Sequence, residues 1–195
     1  MAMNPDHLKP ILLNGAKLNV LIVGYGKVGR RKAKTYAAVG AHVTVVDPAA
    51  VSPTDMYLFY TMSFEAFMQS EADVFTQQHL VIACTDDVGV NASVQAHCQQ
   101  SGKLLNRADD HTAGHFFDMM YESASHYTVA ISGNGESPYV AKFLLNQIKI
   151  QLNQSAILAR VRLLAAKTPY LKARHIPYEH IEHIDQKTLE RIEDE

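Results

Sequence analysis

Apolar positions in the first hundred residues come in short continuous runs, and helical stretches separate them. "NVLIV" at 19–23 is a buried-strand run, and the glycine-rich turn GYGKVG follows it. "RRKAKTYAAVG" then has helical spacing and stops at Gly40, and "AHVTVVD" is a second strand closing on Asp47. Strand, glycine turn, helix and strand within about 30 residues make a βαβ unit. A third strand is expected at 56–62, followed by Ser63 as a helix N-cap. "HLVIACT" at 79–85 is a fourth strand. "DDVGVNASVQAHCQQSG" is a helix with acids in its first turn and Gly102 at its end, and "KLLN" at 103–106 is a fifth strand. This alternation predicts an α/β fold, a Rossmann-type parallel sheet covered on both faces.

Beyond about residue 112 the pattern changes. "HYTVAIS" at 126–132 alternates like a strand and GNGESP is a turn. From Ser137 onward Val140, Phe143, Leu144, Ile148 and Leu152 fall at helical spacing. Residues 155–166 predict another helix, "TPYLKARHIPYEH" a segment broken by two prolines, and 185–194 a short charged helix. The stretch past 150 is too small for a substantial core of its own, so it is expected to pack on the rest or on a second subunit. The expected organisation is a nucleotide-binding domain at 1–112, a connecting segment at 113–150 and a small helical C-terminal domain at 151–195.

Composition changes this picture only a little. A chain of 195 residues that is 47% hydrophobic can bury a full domain plus an appendage. Its net charge of −2 gives no reason to expect a nucleic-acid partner. The two cysteines, Cys84 and Cys98, have neither CxxC nor zinc spacing, which suits a reduced, cytoplasmic protein. No apolar run reaches the roughly 18–20 residues of a membrane span. "MAMNPDHLKP" lacks the basic and apolar regions of a signal peptide.

The candidate chemistry lies in four places. Gly24, Gly26 and Gly29 have GxGxxG spacing after a strand and before a helix, whose first residues, Lys27 and Val28 among them, present free N–H groups to a pyrophosphate. Asp47, at the end of the next strand, suits a ribose 2′-hydroxyl, which favours NAD over NADP. Thr85 and Asp86 follow the fourth strand; they suit the nicotinamide half of the cofactor or simply a helix cap. Arg107, Asp109, Asp110 and His111 crowd the exit of the fifth strand, where pattern alone leaves turn residues and chemistry about evenly matched. The fourth place is Ser137-Pro138, a helix start with Gly133 and Gly135 close by, which offers an anion site or a plain cap. The ten histidines have no zinc spacing, so no metal ligand is assigned, and those of the tail are taken as surface residues.

Several of these runs together resemble the precorrin-2 dehydrogenase/sirohydrochlorin ferrochelatase family, the siroheme synthase N-terminal module. They are "PILLNGAKLNVLIVGYGKVGRRKA", "AHVTVVDP", "LVIACTDDVGVNASVQAHC", "NRADD" followed by Phe116, and "YTVAISGNGESPYVAKFLLNQI". The resemblance covers roughly residues 8–152. Thr85, Asp86, Asp87 and Asn91 in TDD-x3-N, together with SGNGESP, are more specific than the glycine fingerprint. The family's usual GGGxVA is GYGKVG here, and the proline often found after its phenylalanine is replaced by Asp118-Met119-Met120.

The resemblance implies NAD-dependent oxidation of precorrin-2 to sirohydrochlorin, with insertion of ferrous iron (or cobalt) in some members. It implies a homodimer that exchanges contacts through the middle segment. The aspartate of the family's N-x-x-D run carries catalysis, and here that run is Asn106 to Asp109. Oxidation releases a proton as well as a hydride, and Asp109 is the expected acceptor. A polycarboxylate substrate needs local basic groups, with Arg30, Arg31, Lys32, Arg107 and Lys142 as candidates; the alternative for Arg30 and Arg31, and the preferred reading for Lys32 and Lys142, is an ordinary solvated helix residue. Arg107, Ser132, Gly135 and Ser137 are expected to bind the substrate, while Asp110 and His111 stay undecided between support and solvation. The rival reading is an NAD-sensing regulatory domain, which shares the glycine turn and Asp47 but leaves TDD-x3-N and SGNGESP unexplained. Another dehydrogenase class would need its own catalytic group, and no Tyr-x3-Lys pair is present.

Overall fold

The computed structural model describes residues 5–49, 57–134 and 137–175. The chain divides into two units, 1–118 and 119–195.

In the first unit the apolar runs become five parallel strands: β1 (Asn19–Val23), β2 (His42–Val46), β3 (Leu58–Tyr60), β4 (Leu80–Ala83) and β5 (Leu104–Arg107). Their order across the sheet is β3-β2-β1-β4-β5. The chain works outward from β1 through β2 to β3, then crosses back to lay β4 on the other flank of β1. The crevice between the carboxyl ends of β1 and β4 is therefore the switch point, where open α/β sheets take their ligands. Register makes that edge straight. Val23 pairs with both Val46 and Ala83, and Ala83 pairs with Arg107. The residues that follow these four strand ends share one rim.

Alternation along β1 sends its side chains to two layers. Leu21 and Val23 join Phe64, Phe67, Phe75 and Val94 on one face; Val20 and Ile22 join Ala33, Tyr36, Val45 and Ile82 on the other. Helix α1 (Lys27–Ala38) covers the second face; α2 (Phe64–Ser70), α3 (Ala72–Thr76) and α4 (Val88–Ser101) cover the first. Val20, Leu21 and Ile22 are wholly buried, and each such side chain contributes about 1.5–3 kcal/mol. Ser63 caps α2 by accepting from the Ala66 N–H (3.2 Å), as its position predicts. Gly102 ends α4 in the left-handed region at φ 66°.

The second unit holds an antiparallel hairpin, β6 (Met120–Ala124) and β7 (Tyr127–Ile131), then α5 (Pro138–Leu152) and α6 (Ser155–Ala173). Strand β6 was not expected from the sequence. Its two-residue turn, Ser125-His126, has no glycine or asparagine to announce a hairpin. Helix α6 also runs past the break expected at Pro169. Proline removes one N–H four residues before the helix ends, and the neighbouring Thr168 hydroxyl donates to the Leu164 carbonyl (2.8 Å) inside the same turn. The short helix expected at 185–194 lies outside the described residues. No described helix is long and apolar enough to cross a membrane.

Candidate active site

The glycine turn leaves β1 at the centre of the rim. Gly24 has φ 98°, where a side chain is strained, and a Cβ there would lie 2.8 Å from the Cys84 carbonyl oxygen. A Cβ on Gly29 would lie 2.0 Å from the Gly24 oxygen, so the helix closes on the turn only because Gly29 is bare. Gly26 differs: a Cβ there meets nothing within 4 Å. That open space lies against the start of α1, whose N-terminus no side chain caps. Backbone N–H groups beside empty room at a helix N-terminus are what a pyrophosphate requires, so a dinucleotide fits this turn. Lys27 and Val28 are the first two residues of that helix.

Asp47 supports the turn from the end of β2. Its Oδ2 accepts from the Tyr25 N–H (2.6 Å) and its Oδ1 from the Ala49 N–H (2.9 Å). The Tyr25 side chain folds inward against Phe59, with ring centroids 5.2 Å apart. Arg30 lies over the same ring and donates from Nε to the Tyr25 carbonyl (3.0 Å). Beneath the turn the Cys84 thiol donates toward the Val23 and Gly24 carbonyls, and burial pushes its pKa up to about 12.

The other half of the rim is made of side chains. Asp87 caps α4, accepting at Oδ1 from the Gly89 (2.7 Å) and Val90 (3.1 Å) N–H groups. Asp86 is exposed beside it. The Thr85 hydroxyl donates to Asn91 Oδ1 (2.8 Å). Asp109 follows β5 in a bidentate pair: Arg107 donates to it from Nε (3.1 Å) and Nη2 (2.5 Å), while Arg107 Nη1 donates to Gln95 Oε1 (2.7 Å). Arg107 is buried, whereas the Asp109 side chain keeps a quarter of its surface open. The hydrogen bonds from Arg107 hold the Asp109 carboxyl below the usual carboxylate range, against the opposing effect of its partial burial. Asp110 turns away from this pair. Its Oδ1 accepts from the Thr112 N–H (3.0 Å) and hydroxyl (2.6 Å), which lowers its pKa and caps the 3-10 turn His111–Ala113.

Downstream, the chain doubles back along β5. The His115 N–H donates to the Leu105 carbonyl (2.7 Å), and Asn106 Nδ2 donates to the Phe116 carbonyl (2.8 Å). Asp118 then accepts from Lys32 Nζ (2.7 Å) and the Tyr36 hydroxyl (2.8 Å), both on α1. Lys32 is thus a buried anchor for that segment, with its ammonium on Asp118.

One rim of the first unit therefore brings together Gly24, Gly26, Gly29, Asp47, Thr85, Asp86, Arg107 and Asp109. Ser132 and Ser137 belong to the second unit. The Ser132 hydroxyl accepts from the Asn134 N–H (2.9 Å), and Ser137 caps α5 by accepting from the Val140 N–H (3.3 Å). A Cβ on Gly133 would lie 2.3 Å from the Ser137 carbonyl oxygen, so the turn requires glycine there. Gly135 lies outside the described residues. Among the described residues no cluster of three or more His, Cys, Asp or Glu could hold a metal ion. The sequence marked Asn91 through TDD-x3-N but gave no role to Gln95, nor to Asp118 as a partner of α1. Gln95 stands out only as an amide on the α4 face that also carries Asn91, Val94 and Cys98.

A glycine turn with open room at a helix start, at the switch point of a parallel sheet, with a carboxylate ending the next strand, defines a dinucleotide-binding protein of Rossmann type. Residues 11–117 match the family described as "Putative NAD(P)-binding", and the chain belongs to it; its cofactor is a nicotinamide dinucleotide. Within that class its relatives are siroheme synthases, which bears out the resemblance read from the sequence. It is 35% identical over 133 residues to siroheme synthase 2 of Aeromonas hydrophila, covering 67% of this chain and 27% of that one. It is 34% identical over 151 residues to siroheme synthase 1 of Aeromonas salmonicida, covering 76% and 32%. The chain thus spans about a third of the length of these relatives. Among solved structures, one titled "SirC, precorrin-2 dehydrogenase" shares the fold, with a TM-score of 0.65 over 95% of this chain and 94% of that one at 20% identity.

Proposed function

We propose that the chain oxidises precorrin-2 to sirohydrochlorin, with NAD as hydride acceptor and Asp109 as proton acceptor. The observation that carries this reading is the Arg107–Asp109 pair on the rim that also holds the glycine turn. The siroheme synthase relatives supply the substrate class. Held at the glycine turn of Gly24, Gly26 and Gly29, NAD would supply the hydride acceptor; the chain's own task is the proton. Asp109 is ionised at neutral pH like any carboxylate, the form that accepts a proton; Arg107 fixes its position, and the open quarter of that carboxylate is where a substrate C–H or pyrrole N–H reaches it. Asp47 supports NAD over NADP, since a 2′-phosphate beside its carboxylate is repelled. Ser132, Gly135 and Ser137 are proposed to meet substrate carboxylates.

The same carboxylate would receive the pyrrole protons displaced by ferrous or cobalt ion, which extends the proposal to chelation. Exposed Tyr139, Val140 and Phe143 on α5 support a homodimer, which sedimentation tests directly. Two buried thiols suit a reducing, cytoplasmic compartment.

The test is an anaerobic assay with precorrin-2 and either NAD or NADP, with and without ferrous or cobalt ion. NADH formation and the tetrapyrrole spectrum are the readouts. NADH appearing with sirohydrochlorin is expected; a sensing domain yields none. Asp109→Ala should lower turnover by about 10²–10⁴-fold while NAD titrates normally. Undiminished turnover in that variant sinks the assignment.

A further inference from the structure

We propose that Gln95, one turn after the Asn91 that pins α4 to Thr85, is the positioning residue of the Arg107–Asp109 pair, so that the place of the carboxylate is set from the helix rather than from its own loop. The proposal rests on the reading of Asp109 given above and adds to it the means by which that carboxylate is held.

The loop itself does little. Asp109 lies in a bend after β5, and its neighbour Asp110 is spent on the next turn. The fixed contacts come from across the rim. Gln95 Oε1 accepts from Arg107 Nη1 (2.7 Å), on the opposite side of the guanidinium from Asp109. Asn91 is wholly buried, and its amide is tied to Thr85. Oδ1 accepts from the Thr85 N–H (3.2 Å) and hydroxyl (2.8 Å), and Nδ2 donates to the Thr85 carbonyl (3.0 Å).

Residues 91 and 95 fall on one helical face because four positions make about one turn. Burying an amide costs free energy unless its groups are paired, so Asn91, paired with Thr85 through both ends of its amide, is a rigid point. The helix has no need of it as a cap, since Asp87 fills that place. The consequence is mechanical. The loop after β4, through Asn91, and the Arg107–Asp109 pair after β5, through Gln95, hang from the same helix face, so the cofactor edge and the base shift together. The charged groups bearing on Asp109 are Arg107 beside it and Asp110, which acts on Arg107.

The full-length protein labelled with carboxylate-¹³C aspartate decides this by NMR titration, with the Asp109 signal assigned through Asp109→Asn. Gln95→Met should move its midpoint upward, and Gln95→Glu, which keeps the acceptor, should return it toward the wild-type value. Gln95→Met should also lower kcat about 10-fold with the KM for NAD unchanged. An Asp109 midpoint unmoved in Gln95→Met, or moved equally in Gln95→Glu, overturns the proposal. Because the titration needs no substrate, it stands even where precorrin-2 is not turned over, and that failure would count against the proposed function alone.

Discussion

At the carboxyl end of β1 the chain makes room by leaving side chains out; at the ends of β4 and β5 it makes a site by locking side chains together. Gly24, Gly26 and Gly29 serve the first half through what they lack. Thr85 with Asn91, and Gln95 with Arg107 and Asp109, serve the second through two sets of hydrogen bonds joined by α4. The first half is local: its constraints arise within a few residues of sequence and one crossing from Cys84. The second is assembled from two loops and a helix. A backbone site fails when a single atom is added, whereas a side-chain network fails by degrees.

That difference can be broken most sharply at Gly29. Gly29→Ala places a Cβ on the Gly24 carbonyl, so NAD binding should vanish in calorimetric titration and stability should fall by about 1–3 kcal/mol in urea melts. Gly26→Ala is the contrast, because its Cβ meets nothing: an unchanged melt with weakened NAD binding is expected. A melt shifted as far as that of Gly29→Ala would erase the distinction.

In the anchored segment, Asp118→Ala leaves the buried Lys32 ammonium and the Tyr36 hydroxyl without their acceptor. The cost should be about 1–3 kcal/mol, read from thermal melts at neutral pH.

Arg107→Gln tests the network through its pH dependence. Asp109 has a folded pKa below its unfolded value, so its contribution is complete above the ordinary carboxylate value near about 4 and is lost as pH falls through the folded value. The stability gap between wild type and Arg107→Gln should therefore narrow below about pH 4. A gap that widens in acid would contradict the pairing. The smallest effect belongs to Asp110→Asn, which changes only a turn cap. Turnover should match wild type within error, and a large loss of kcat would return Asp110 to the chemistry.

The same contrast explains what could be read from the chain beforehand. The sheet and the glycine turn were legible because strand runs, GxGxxG spacing and Asp47 are local patterns. Asp109 was singled out by the family resemblance, since an aspartate after a strand suits a turn equally well. The bidentate hold of Arg107 depends on the rotamers of a loop, and the roles of Gln95 and Asn91 depend on where α4 lies beside β5. TDD-x3-N marks Asn91, but neither the hold of Arg107 nor the reach of Gln95 has a sequence signature. Lys32, read as a solvated helix residue before a substrate contact, proved instead to be a buried anchor, because its partner Asp118 lies far along the chain and only the return of the segment along β5 brings the two together. Strand β6 went unseen for want of turn residues, and Pro169 was given more power to end a helix than one missing N–H has so close to the helix end.

The Cys84 thiol beneath the glycine turn has a practical consequence. Hydrogen-bonded to two carbonyls and pushed to about pKa 12, it is almost entirely un-ionised at neutral pH, and buried Cys98, raised to about 11, is the same. The thiolate is the reactive form, so maleimides and spin-label reagents should leave both untouched in the native protein. A single cysteine introduced at an exposed site, such as Lys34→Cys on α1, then becomes a unique attachment point for a spectroscopic reporter. The native chain needs no prior removal of its own cysteines for such labelling.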